Sequence, residues 1–261
     1  MPINPDTVLD WLRKGGYPIE YEVARQLRGA GFSVEQGRHY PDTIEAGKSR
    51  DVDVLALFRH AESDRTVNVM PVVECKAARG KAWVVLTTDA AEPGPWEPVA
   101  TPTLAYALGE MPQLLPLALP LSRPYGYSVI EARDPDQSDQ KRDRPRDLAH
   151  NALEQVMSAA VGIVQGQGDD ETLMIPIVVT EAQLFRLTIT EPGKEDLSAV
   201  DWYRVRWHGA QTFQKPTSID VVNRQFLSEY GQLMKEAAVQ AALACLRARR
   251  EAPPQVFAAW A

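Results

Sequence analysis

Two cysteines, Cys75 and Cys245, are all that the 261 residues contain. That is too few for a disulfide framework, and their spacing fits no zinc site, so a reducing, cytoplasmic setting is expected. The four histidines, His39, His60, His150 and His208, show no paired metal spacing either. Long apolar runs are missing as well. LLPLALPLS from Leu114 and AAVQAALACL from Ala237 are too short or too proline-broken to span a bilayer, and MPINPDTVLDWLRK lacks the apolar centre of a signal peptide. No membrane partner is therefore expected. Positive charge is the scarcer sign: 28 Lys and Arg stand against 35 Asp and Glu, for a net charge of -7. Such a balance speaks against a protein that coats nucleic acid, which needs a basic surface to neutralise phosphate.

What is present is ordinary globular material. Hydrophobic residues make up 44% and charged residues 24%, enough to bury a full core, and the length predicts one elaborated domain over 1–261 rather than two complete ones. The cations that exist are clustered. Lys76, Arg79 and Lys81 form one group and Lys141, Arg142, Arg144 and Arg146 another, while Arg204, Arg206 and His208 alternate on an expected strand. Each is read as a local phosphate contact or as part of a solvated face.

Along the chain, Asn4 or Asp6 can cap a first helix through Lys14. Pro18 suits the first turn of a second, to about Gly29, whose Ile19, Val23, Ala24 and Leu27 share an inward face. A short strand FSVEQ follows. DVDVLALF (51–58) and VNVMPVVECKA (67–77) are apolar on both parities near their centres, as in strands covered by helices on both sides. A three-layer α/β/α core with a mixed central sheet is expected, over 16–88 and 145–215. Between these pieces, about 89–144 is rich in proline and is expected to be an insertion with little regular structure. A helix about 145–165, strands LMIPIVVT, FRLTIT and WYRVRW, and a closing helix over 218–250 complete the reading. The apolar stripe of that last helix serves core packing or, alternatively, a homodimer or partner-protein contact.

An acid-x-Lys tripeptide alone is weak, and Asp139-Gln140-Lys141 in a polar stretch is a decoy. Glu74-Cys75-Lys76 differs because it ends an apolar run, where unpaired charge is costly. Strand parity puts Glu74 and Lys76 on one face and Cys75 on the other. A hairpin centred between Ser63 and Asp64 sets Asp53 opposite Glu74 and Asp51 opposite Lys76. Two carboxylates on one face form a hard oxygen site suited to Mg²⁺, and a lysine beside them can orient a water and offset charge developing on phosphate. Gly47-Lys48-Ser49 is not a phosphate loop, because Asp42 stands where the first glycine belongs, and Gly31 to Glu35 lacks the closing glycine of a nucleophile elbow.

With these residues in place, the sequence resembles the PD-(D/E)xK superfamily, the restriction-endonuclease-like nucleases. GYPIEYEVARQLRGAGFSV matches that family's glutamate-bearing helix and first strand, SRDVDVLALF supplies Asp53, and VVECKA supplies Glu74 and Lys76. The likeness covers about Gly16 to Ala77, and more faintly the helix after Pro145 and the strand LMIPIVVT. It implies a metal-dependent endonuclease acting on DNA, in bacterial or phage defence; an RNA-cleaving effector and a catalytically silent binding module are the alternatives. Asp53, Glu74 and the backbone carbonyl of Cys75 would hold Mg²⁺, for which Mn²⁺ may substitute, and Lys76 would assist the attacking water. Helical phase favours Glu20 over Glu22 as the helix carboxylate, with Glu22 expected to face solvent or a basic neighbour.

Overall fold

The structure, a computed structural model, describes residues 4–14, 16–42, 47–87, 97–114, 125–132, 147–168, 170–191, 194–208 and 216–251. The cluster Lys141 to Arg146 and the decoy tripeptide at 139–141 lie outside these residues. In chain order the elements are α1 (Pro5–Lys14), α2 (Tyr17–Gly29), β1 (Ser33–Pro41), β2 (Ser49–Glu62), β3 (Arg65–Lys76), β4 (Ala82–Thr87), β5 (Val99–Ala100), α3 (Pro102–Glu110), β6 (Gly126–Ala132), α4 (Leu148–Gln165), β7 (Glu171–Thr180), β8 (Gln183–Glu191), β9 (Lys194–Ala199), β10 (Trp202–Trp207), β11 (Thr217–Asn223) and α5 (Leu227–Glu251). Eleven strands form one mixed sheet in the order β1-β2-β3-β7-β11-β10-β6-β4-β8-β9, with β5 against β7. The class is mixed α/β.

Helices cover both faces of the first half of this sheet. On one face, Ile19, Val23, Ala24 and Leu27 of α2 pack with α3 and α5 over Val54, Ala56, Val67, Val69 and Val73. On the other, Ala149, Ala152, Leu153, Val156 and Ala160 of α4 pack over Leu55, Met70 and Val72. Alternation along each strand feeds both layers, which is why neither β2 nor β3 has a polar side at its centre. Close seating of α4 depends on Gly162, where a Cβ would come within 2.6 Å of the Pro41 carbonyl oxygen and 2.7 Å of Tyr40 Cδ2. The helix begins at Asp147, whose carboxylate accepts from the Ala149 and His150 N–H groups. Asn4, rather than Asp6, caps α1 by accepting from the Asp6 N–H at 3.0 Å. Among the described residues no helix is long and apolar enough to cross a membrane.

Three expectations are corrected. The span 89–144 contributes regular structure: α3 packs on the core, and β6 joins β10 to β4 within the sheet. The closing helix starts at Leu227, not at 218, because Ser218 to Val222 form the buried strand β11, parallel to β7. Two partners explain how SIDVV can be buried despite its acid. The Arg204 guanidinium donates twice to the Asp220 carboxylate at 2.5 Å, and the Tyr230 hydroxyl donates to it at 2.7 Å. Arg204 is therefore not a phosphate contact; it is 5% exposed and neutralised within the core. Asp220→Ala should cost about 3–5 kcal/mol in urea unfolding, because it strands a buried guanidinium, and Tyr230→Phe about 1 kcal/mol. Equal, small losses for both would mean that the trio is not a stabilising unit.

Candidate functional site

β2 and β3 meet through the turn at Ser63 and Asp64, and the expected register holds from Glu62↔Arg65 to Val54↔Val73. There the pairing stops. Asp53 is also skipped on its other side: β1 sets Gln36 against Val54 and Arg38 against Val52, with Gly37 between them at φ 64°. This left-handed residue kinks the edge strand beside Asp53, a conformation glycine adopts at little cost. Freed from the ladder, the Asp53 carboxylate turns into the gap and accepts from the Cys75 N–H at 2.6 Å. The N–H and C=O of a strand residue point to the same side, so the Cys75 carbonyl faces this gap too.

Glu74 and Lys76 follow Met70 and Val72 on the face covered by α4. Lys76 Nζ donates to Glu74 Oε1 at 2.5 Å and to Gln155 Oε1, on α4, at 2.7 Å. The Cys75 side chain points to the opposite face and packs against the α2 and α5 layer; burial, with Asp53 and Glu74 nearby, raises its thiol well above the usual range.

α2 lies on the far side of the sheet from Glu74 and Lys76. Its apolar stripe packs on the face opposite α4, so the helix does not cross the face that carries Glu74 and Lys76. Glu20 reaches the acids at the open end of the two strands instead. It is half-buried there, and its pKa is raised to about 7 by burial and by the charges of Asp53 and Asp51, against the opposing pull of Lys76. Glu22 points elsewhere, as phase predicted: the Arg224 guanidinium binds it through Nε at 2.7 Å and joins it to Glu181.

The electrostatics of this end of the sheet are unbalanced. Glu74 is buried and raised to about 7, by burial first and then by Asp53, although Lys76 touches it. Asp53 is raised by burial, with the Cys75 N–H and Lys76 opposing. Among the described residues, Glu20, Asp53, Glu74 and the exposed Asp51 thus share the Lys76 ammonium. Other cations that might have balanced them are spent: Arg79 and Arg224 pair with Glu181, and Lys81 pairs with Glu131 at 2.8 Å.

The raised Glu74 carboxyl has a consequence for stability in the metal-free protein. Below about pH 4.5 Glu74 is protonated folded or unfolded; between 4.5 and 7 the folded state holds a proton that the unfolded state has released. Stability therefore falls as pH rises through this window and levels off above it. Glu74→Gln, which cannot ionise, should be about 2 kcal/mol more stable than wild type at pH 8, with little difference at pH 4.5. Urea unfolding in chelator at the two pH values checks this, and a pH-independent difference would refute it.

Hard, oxygen-only donors with surplus negative charge and a free backbone carbonyl have the chemistry that a divalent cation such as Mg²⁺ requires. As they stand, no three His, Cys, Asp or Glu side chains among the described residues converge closely enough to hold a metal. Glu74 is turned to Lys76 and Asp53 to the Cys75 N–H; both would have to reorient, and Glu74 would lose its proton. Gln155 was missed from the sequence. Its signal was an amide one turn after Ala152, on the margin of an otherwise apolar helix stripe. Comparison of the chain with protein-family models, curated proteins and solved structures finds no match.

Proposed function

We propose that the chain is a metal-dependent nuclease of the PD-(D/E)xK, restriction-endonuclease-like type, hydrolysing phosphodiester bonds in DNA. One observation carries the reading: where the β2–β3 ladder ends beyond Val54↔Val73, Asp53, Glu74, Lys76 and Glu20 gather with more buried acid than base. Stability does not call for that arrangement, since buried carboxylates raise the cost of folding unless something offsets them. The order of elements supports the reading as well. A glutamate-bearing helix precedes three antiparallel strands, and α4 then leads to β7, parallel to β3 from Val67↔Glu171 to Lys76↔Thr180.

In this reading Asp53, Glu74 and the Cys75 carbonyl would hold Mg²⁺ or Mn²⁺, with Glu20 as the outer carboxylate. The cation, when bound, would supply the positive charge that stabilises negative charge developing on the phosphate. Lys76 contributes a second positive charge, held in place by Gln155, and can donate to or orient the attacking water. Gln155 acts through Lys76 as a positioning residue.

A catalytically silent binding module on the same architecture is the rival, and the lack of a ready three-acid cluster among the described residues favours it. The two part company in one assay: the purified chain with duplex DNA, single-stranded DNA and RNA, with Mg²⁺ or Mn²⁺ against chelator. Metal-dependent cleavage is expected. Binding without cleavage under every condition would favour the silent module.

A further inference from the structure

The outward side of α1 and α2 carries side chains that a solvated helix face does not need. Val8, Leu9, Trp11, Tyr17 and Tyr21 are 41%, 47%, 62%, 49% and 64% exposed. The Trp11 and Tyr17 rings lie 6.1 Å apart, tilted at 46°. Single exposed apolar residues are ordinary, but a contiguous aromatic patch of this kind marks a contact surface. At 100° per residue Tyr17, Tyr21 and Arg25 rise along one ridge of α2 at i, i+4 and i+8. Arg25 is exposed and has no acidic partner among the described residues. The same helix turn that presents Tyr17 and Tyr21 outward sends Glu20, between them in sequence, inward to Asp53.

We propose that Trp11, Tyr17 and Tyr21 are a stacking platform for the unpaired bases of a single-stranded nucleic acid, with Arg25 on its backbone, placing a neighbouring phosphate at Asp53 and Glu74. The proposal rests on the nuclease reading for what happens at the carboxylates, but not for the binding itself. Three observations select this occupant. The patch is continuous with the acid cluster through Glu20. The ridge of α2 runs from the Tyr17 and Tyr21 rings into the Arg25 guanidinium, a surface matched to a base and its phosphate rather than to lipid chains. Finally, the chain is acidic, and Arg79, Lys81, Arg204 and Arg224 are all neutralised by carboxylates. These four are not available for phosphate contacts, so contacts that need no charge carry more of the affinity. Stacking on exposed rings requires bare base faces, which a duplex hides within its own stack.

The test is fluorescence anisotropy of end-labelled oligonucleotides with the full chain in chelator, where no cleavage occurs. Single-stranded DNA and RNA and a duplex of equal length are compared. The single strands should bind more tightly than the duplex. Tyr17→Ala and Tyr21→Ala should each weaken single-strand binding about tenfold, Tyr21→Phe should bind as wild type, and Arg25→Ala should lower the salt slope by about one. Unchanged affinity in both alanine variants, or a preference for duplex, would overturn the platform. So would a fall in oligomeric state on Tyr21→Ala, which would mean that a second copy covers the patch. Failure of the nuclease reading looks different: wild type would bind single strands through the platform yet cleave nothing with Mg²⁺.

Discussion

Lys76→Ala is expected to lower single-turnover cleavage by about 10³-fold, the scale on which one positioned proton donor or charge contributes to a transition state. The ammonium is well placed for that role. It is held by Glu74 and Gln155 at 2.5 and 2.7 Å, so little reorganisation is needed when charge develops. Folding should survive the change. Glu74 loses its cation, but its pKa already stands at about 7 and it can stay protonated, avoiding an unpaired buried charge. Nucleic-acid affinity should likewise persist, since the contribution arises mainly in the transition state. Rapid-quench kinetics with a urea titration of the same preparation check both halves, and wild-type turnover by the variant would remove Lys76 from the mechanism.

Asp53→Ala should abolish both cleavage and Mg²⁺ binding. Asp53 is the acid that has left the β-ladder, and it lies beside both Glu20 and Glu74. Its loss leaves the Cys75 N–H without its acceptor, at a cost of about 1 kcal/mol, while relieving repulsion on Glu20 and Glu74. Net stability should change little. Asp53→Asn separates the roles, because an amide oxygen can still accept from Cys75 but carries no charge. That variant should fold as wild type and remain unable to bind the cation. Calorimetric Mg²⁺ affinity unchanged in either variant would show that the wrong acid has been chosen.

Much of this end of the molecule was legible in the sequence because strands have a period of two. Once β2 and β3 are joined by a short turn, parity puts Glu74 and Lys76 on one face and the register holds to Val54↔Val73, but the expected pairs Asp53–Glu74 and Asp51–Lys76 do not form, because Asp53 leaves the ladder for the Cys75 N–H. Helical phase separated Glu20 from Glu22 for a similar reason. Phase says which side of a helix turns inward, but not which face of the sheet receives it, and α2 covers the face opposite Glu74 and Lys76. Ser218 to Val222 were absorbed into the closing helix because their apolar residues run on into its stripe. The ion pair that makes them a strand joins Arg204 to Asp220 across neighbouring strands, and no local pattern announces such a partner. The same is true of Gln155, whose meaning depends on a lysine 79 positions earlier. Within 89–144, proline frequency concealed α3 and β6; Pro102 sits in the first turn of α3, where it favours a helix.

The most direct measurement of the central claim, that these carboxylates are a cation site, is calorimetric titration of Mg²⁺ into the wild-type protein at pH 6 and pH 8, each in two buffers of different ionisation heat. Glu20 and Glu74, at about 7, are mostly protonated at pH 6, so binding there must release protons to the buffer and be weaker. At pH 8 both are ionised, and binding should be tighter with little proton release. Absence of binding at both pH values, or an affinity independent of pH with no proton release, would contradict the account.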